Sequence, residues 1–105
     1  MRHFTALQLY EVLKTNVHPI LLDVRESWEF NICHIKNSTL IPMNEIAVRL
    51  TELDPQQEIV VICHHGVRSR QVAMLLEYNG FNNIINLTGG IDAWAKKVDP
   101  LMPTY

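Results

Sequence analysis

Cys63 ends the apolar run Ile59-Val60-Val61-Ile62, and His64, His65, Gly66, Val67, Arg68 and Ser69 follow it before the pattern turns helical. A thiol is a weak nucleophile; the thiolate is the reactive form, and its surroundings set how much of it exists. A turn that feeds a helix N-terminus offers unpaired amide hydrogens and the positive end of the helix dipole. Gly66 lets such a turn curl until successive amides face one point, forming an anion-binding nest. Arg68 adds a permanent charge. The stretch 63–69 is therefore expected to be a cradle of inward-aimed amides closed by the Arg68 guanidinium, favouring the Cys63 thiolate and an anionic substrate. His64 and His65 read either as plain turn residues or as sources of partial positive charge. The same histidines and Cys63 lack the spacing of a zinc site, so no metal and no cofactor is expected.

The elements that must hold this loop alternate along the chain. Thr5 with Gln8 forms a capping-box pattern ahead of the apolar spacing in 5–16, which predicts a helix. Apolar runs at 19–24, 38–42, 58–63 and 83–87 predict strands, with helices over 27–33, 44–53 (Asn44 as N-cap), 68–78 and from 89 onward. Gly80 can supply the left-handed residue that ends the 68–78 helix. Strands alternating with helices predict a three-layer α/β/α domain on a mostly parallel sheet of about five strands. Ligands of such sheets sit at the carboxyl ends of the strands. Cys63, the pair Arg25 and Glu26, and Thr88, Gly89 and Gly90 all fall at such ends, so three loops converge. Cys33, just ahead of the 38–42 strand, is expected near the opposite edge.

The 105 residues, 48% hydrophobic and 19% charged, suit one domain, 1–105, with 98–105 an irregular C-terminal tail. A net charge of −2 gives no general attraction for nucleic acid or an anionic membrane. The N-terminal residues lack a signal-peptide pattern, the longest apolar run is far short of a membrane span, and two cysteines make no disulfide framework. A cytoplasmic location is expected. Oligomeric state is open.

Three ordered motifs carry a resemblance: Asp23-Val24-Arg25-Glu26 after a strand, the Cys-x-x-Gly-x-Arg-Ser loop at 63–69, and the Asn-Leu-x-Gly-Gly-x-x-Ala-Trp segment at 86–94. Together they resemble a single-domain rhodanese, of the sulfurtransferase family, from about Thr5 to Trp94. The resemblance implies a parallel α/β/α fold and a sulfane sulfur carried as a persulfide on Cys63, with 64–68 as the substrate-anion cradle. It also implies a small anionic donor such as thiosulfate and a thiol or cyanide-type acceptor, with a protein sulfur acceptor as an alternative. The family commonly shows Gly-His-Ile-Pro-Gly-Ala where this chain has Cys33-His34-Ile35-Lys36-Asn37-Ser38, a change expected to affect turn geometry. Cys33 is then a packing residue and not a resolving thiol.

Two other readings compete. Thiolate phosphatases and arsenate reductases use a similar loop, but with Cys-x₅-Arg; the shorter Cys-x₄-Arg here suits a single sulfur better than a tetrahedral phosphoryl group. A sulfur-relay or protein-interaction module would keep the cysteine as well. Among supporting residues, Asp23 is expected to bind loop amides and Arg25 to pair with Glu29 four residues on, with a second contribution to the site's charge as the functional option. Gly89 and Gly90 serve either a close approach to the loop or a plain helix start. Ser69 either caps the helix or donates to the persulfide. Trp28 and Trp94 are expected to pack.

Overall fold

The structure is a computed structural model that describes residues 1–105. Its frame is a five-stranded sheet in the order β1-β5-β4-β2-β3, built from β1 (Arg2–Phe4), β2 (Ile20–Asp23), β3 (Thr39–Leu40), β4 (Ile59–Ile62) and β5 (Ile84–Leu87). Every pairing is parallel. A central strand of such a sheet must be apolar on both faces, and β4 is buried along its whole length. Its residues divide by the two-residue period of a strand. Ile59, Val61 and Cys63 face one core with Leu22, Val24, Val72 and Leu76. Val60 and Ile62 face the other with Leu9, Ile85, Ile91 and Trp94.

Four helices supply the outer layers: α1 (Ala6–Leu13), α2 (Ser27–Ile32), α3 (Val67–Tyr78) and α4 (Gly90–Lys97). Helices α1 and α4 cover one face and α3 the other. The Thr5–Gln8 capping box is present, with the Gln8 amide on Thr5 Oγ1 and the Thr5 amide on Gln8 Oε1 at 3.2 and 2.8 Å. Gly80 takes φ +87° behind α3, as its C-terminal role requires. None of these helices is long and apolar enough to cross a membrane.

Two elements differ from expectation. The segment read as a helix over 44–53 is a pair of 3₁₀ turns, Met43–Val48 and Leu50–Glu52, starting from Pro42 and not from an Asn44 cap. Asn44, Val48 and Thr51 are weak α-helix formers, and Ile46 alone in the segment is fully buried, so packing does not offset the poor propensity. The fifth strand is Arg2–Phe4, which lies parallel beside β5. Three residues are too few to show a strand's alternation in the sequence.

The chain leaves β2 for β3 on one side, then crosses back to place β4 on the other side of β2. The carboxyl ends of β2 and β4 thus flank a topological switch point, where open α/β sheets bind ligands. The turns after β2, β4 and β5 meet there.

Candidate active site

Cys63 follows β4 directly, and its Sγ lies beneath the turn that opens α3. The Gly66 amide donates to Sγ at 3.0 Å. Gly66 holds φ +103°, a conformation that favours glycine, and caps α3 without a side-chain hydrogen bond. The amides of His64, His65, Val67 and Arg68 donate to no other group of the chain. The turn's carbonyls are occupied: Cys63 O accepts from the Ile91 amide at 2.9 Å and His64 O from the Asp92 amide at 3.0 Å. The first turn of α4 therefore grips the loop by its carbonyls. Gly90 makes this possible, because a Cβ there would collide with the carbonyl oxygens of Cys63 and His64. Gly89 is the N-cap of α4, so Gly89 and Gly90 serve the close approach and the helix start together.

A buried polar chain runs behind the sulfur. The Cys63 thiol donates to Ser69 Oγ at 3.3 Å, and the Ser69 hydroxyl donates to Asn86 Oδ1 at 2.5 Å. Ser69 thus touches the thiol and does not cap the helix. Asn86, on β5, was not singled out from the sequence. Its signal was there: one amide side chain in a strand otherwise made of Ile84, Ile85 and Leu87.

The cations are arranged differently from expectation. Arg25 and Asp23 are both fully buried. Arg25 pairs with Asp23, through Nε to Oδ1 at 2.9 Å and Nη2 to Oδ2 at 2.8 Å, and not with the Glu29 carboxylate. Arg25 stands ahead of α2, so the four-residue step to Glu29 does not run along one helix face. Asp23 also accepts the Arg25 amide at 3.1 Å, the loop contact expected of it. Arg68 in turn takes Glu29, with bonds of 2.7 and 2.8 Å from Nη1 and Nη2. The guanidinium thus does not close the cradle in this conformation. The Arg68 bonds, partly opposed by burial, hold the Glu29 carboxyl down to about 2. Cys63 itself is only 1% exposed.

The segment read as an irregular tail supplies an unforeseen part. Tyr105 donates its hydroxyl to Glu29 Oε2 at 2.6 Å and accepts from Arg25 Nη1 at 3.0 Å. Its ring stacks on His64, with centroids 4.0 Å apart and planes 14° from parallel. Burial and the bond to Glu29 push the Tyr105 hydroxyl up to about 12. Burial, then the neighbouring His65, lowers His64 from its ordinary value. His65 is exposed, 3.9 Å from Asp92. Ligand atoms of His64, His65 and Asp92 come within 4.8 Å of one another, a grouping the sequence did not suggest, although Lys96 already pairs with Asp92 at 2.9 Å.

Cys33 also moves. It belongs to a buried core cluster and carries a free thiol, consistent with packing. Yet it caps α2 on the carboxyl side of the sheet: its carbonyl accepts from Arg25 Nη2 at 2.6 Å, and it borders a small cavity with His64 and Tyr105. It is not at the opposite edge, because α2 is too short to carry the chain away. Trp94 packs in the core as expected, whereas Trp28 is mostly exposed and meets Tyr105 edge-on at 5.7 Å.

Fold and site together define a parallel α/β domain with a cysteine-centred loop at its switch point. Residues 5–97 match the family model described as a rhodanese-like domain, and the chain belongs to that family. It is 32% identical over 105 residues to thiosulfate sulfurtransferase GlpE of Haemophilus influenzae, covering 99% of this chain and 97% of that protein. It is 38% identical over 79 residues to putative sulfur carrier protein YrkF of Bacillus subtilis, covering 75% of this chain and 43% of that one. A chloroplastic rhodanese-like/PpiC domain-containing protein of Arabidopsis thaliana is 38% identical over 89 residues, 81% of this chain and 30% of that protein. The chain thus spans less than half the length of the last two. Among solved structures, a rhodanese-like domain protein from Staphylococcus aureus superposes with a TM-score of 0.85 at 33% identity, over 90% of this chain and 91% of that one. A rhodanese-related protein from Thermoplasma volcanium gives 0.84 at 35% identity, over 93% and 94%.

Proposed function

We propose that the chain is a sulfurtransferase that carries one sulfane sulfur on Cys63. The Cys63 thiolate attacks the outer sulfur of thiosulfate or a similar anionic donor. The donor's S–S bond breaks, its electron pair leaves with sulfite, and a Cys63 persulfide remains. A cyanide-type or thiol acceptor then attacks the outer sulfur, and Cys63 departs as the thiolate. The single observation that carries this reading is the Gly66 amide 3.0 Å from Sγ, because it places a fixed donor on the atom that must bear charge. The His64, His65, Val67 and Arg68 amides remain free for the added sulfur and the donor's anionic end. One relative of the same length, GlpE, is a thiosulfate sulfurtransferase by name, which supports the choice of donor. We place the reaction in the cytoplasm, where a single thiol stays reduced.

A second reading has an observation of its own. Trp28 and Val67 are exposed apolar side chains, one against Tyr105 and the other directly after Gly66. Such a rim suits a protein acceptor, and a relative is named as a putative sulfur carrier. Turnover assays with thiosulfate against cyanide, small thiols and protein thiols separate the two. Transfer to cyanide and to small thiols is expected. Phosphate-ester hydrolysis without any sulfur transfer would overturn both readings.

A further inference from the structure

We propose that Tyr105 is the gate of the Cys63 site, a residue that fixes the loop closed and decides which reactants reach the sulfur. The proposal rests on the sulfurtransferase reading only for the identity of those reactants. Two loop residues that follow the thiol, His64 next to it and Arg68 at the start of α3, both meet this one side chain, His64 directly and Arg68 through Glu29. The Tyr105 ring lies on His64 at 4.0 Å. The Tyr105 hydroxyl bonds the same Glu29 carboxylate that holds Arg68. Arg25, locked to Asp23, fixes the hydroxyl from behind at 3.0 Å.

Segment 99–105 fits closely. The cavity between Cys33, His64, Ile91 and Tyr105 measures about 10 Å³, room for at most one water. Pro103 and Thr104 are exposed, Leu101 is almost wholly so and Tyr105 itself is 37% exposed. Beyond the Asp99 amide on the Trp94 carbonyl, the strap is therefore anchored by little besides Met102 and the contacts of the Tyr105 side chain. A segment held by so few groups opens locally far more often than the domain unfolds. Arg68 keeps its two bonds to Glu29 in either state; opening removes the Tyr105 hydroxyl from that carboxylate and the ring from His64. A slender donor or acceptor waits for that opening, whereas a protein acceptor can displace the ring with a side chain of its own.

The test is the rate of Cys63 alkylation by iodoacetamide, located by peptide mass, which needs no sulfur transfer. Tyr105→Phe keeps the ring but loses the bond to the carboxylate, and the rate is expected to rise about tenfold. Tyr105→Ala loses the ring as well, and about a hundredfold is expected. Each rate is repeated in low urea, since global unfolding climbs steeply with urea and a local gate does not. Rates that rise in that order and stay flat in urea support the gate. Equal rates in all three proteins, or a rise that follows urea, overturn it. A protein that alkylates as expected yet takes no sulfur from thiosulfate would refute the proposed function and leave the gate standing.

Discussion

Arg68 and Glu29 meet through two N–H···O bonds of 2.7 and 2.8 Å, joining the first turn of α3 to α2 across 39 residues. The carboxylate is nearly buried and the guanidinium is about a third exposed, so the pair is shielded on one side only. Glu29 Oε1 also accepts the Glu26 amide at 3.0 Å, and Tyr105 completes its shell. Every lone pair that points inward has a donor. The pair sets where the loop's only permanent charge sits at rest.

The pair makes stability depend on pH in a defined window. The folded Glu29 carboxyl lies at about 2 against an ordinary 4.5. A depressed carboxyl stabilises the fold fully above the unfolded value, and that contribution is lost as pH falls through the folded one. The shift corresponds to about 3 kcal/mol. Urea unfolding of the parent and of Glu29→Gln is expected to differ by about that much at pH 7 and to converge toward pH 2. A gap that stays constant across this range contradicts the assignment.

Ser69 is expected to matter twice. Its hydroxyl accepts a hydrogen bond from the thiol and donates to Asn86; once Cys63 is ionised, the 3.3 Å contact stays favourable only if the hydroxyl turns to donate to sulfur. Ser69→Ala leaves the nearly buried Asn86 oxygen without its donor, at about 1–3 kcal/mol. In a domain of this size each kcal/mol lowers Tm by roughly 4–8 °C. Sulfur-transfer rate is expected to fall by about 10²-fold, as for removal of one catalytic donor. A lowered Tm with an unchanged rate would reduce Ser69 to a packing role.

Gly80 and Gly90 separate conformational cost from collision. Both hold positive φ, but a Cβ at Gly80 meets nothing within 4 Å, whereas at Gly90 it strikes the carbonyls that α4 grips. Gly80→Ala should cost about 1 kcal/mol of strain and leave transfer intact. Gly90→Ala should cost clearly more and displace the loop, abolishing transfer. Equal destabilisation of the two variants, by chemical denaturation, would contradict the docking of α4 on the loop.

Particular residues show what the sequence could carry. Cys63, Gly66 and the strand before them were legible because a continuous apolar run, a turn residue and a helix start are all local signals. Asn86 was legible in principle as the polar residue of a buried strand. The partners of Arg25 and Arg68 were not. Either arginine could take any nearby carboxylate, and the exchange that gives Asp23 to Arg25 and Glu29 to Arg68 is fixed by packing across β2, α2 and α3. Tyr105 gave no signal, since a tyrosine beyond the last helix has no period to read. The 3₁₀ turns at 43–52 failed for the reverse reason. Their apolar spacing suits a helix, and weak helix formers that shallow burial does not offset decide against it.

The central claim is that Cys63 accepts and holds one sulfur, and intact mass spectrometry after mixing with thiosulfate tests it most directly. The parent protein is expected to gain the mass of a single sulfur atom, to lose it again with cyanide, and to gain nothing as Cys63→Ala. A parent that takes up no sulfur, or a Cys63→Ala protein that still does, would contradict the account.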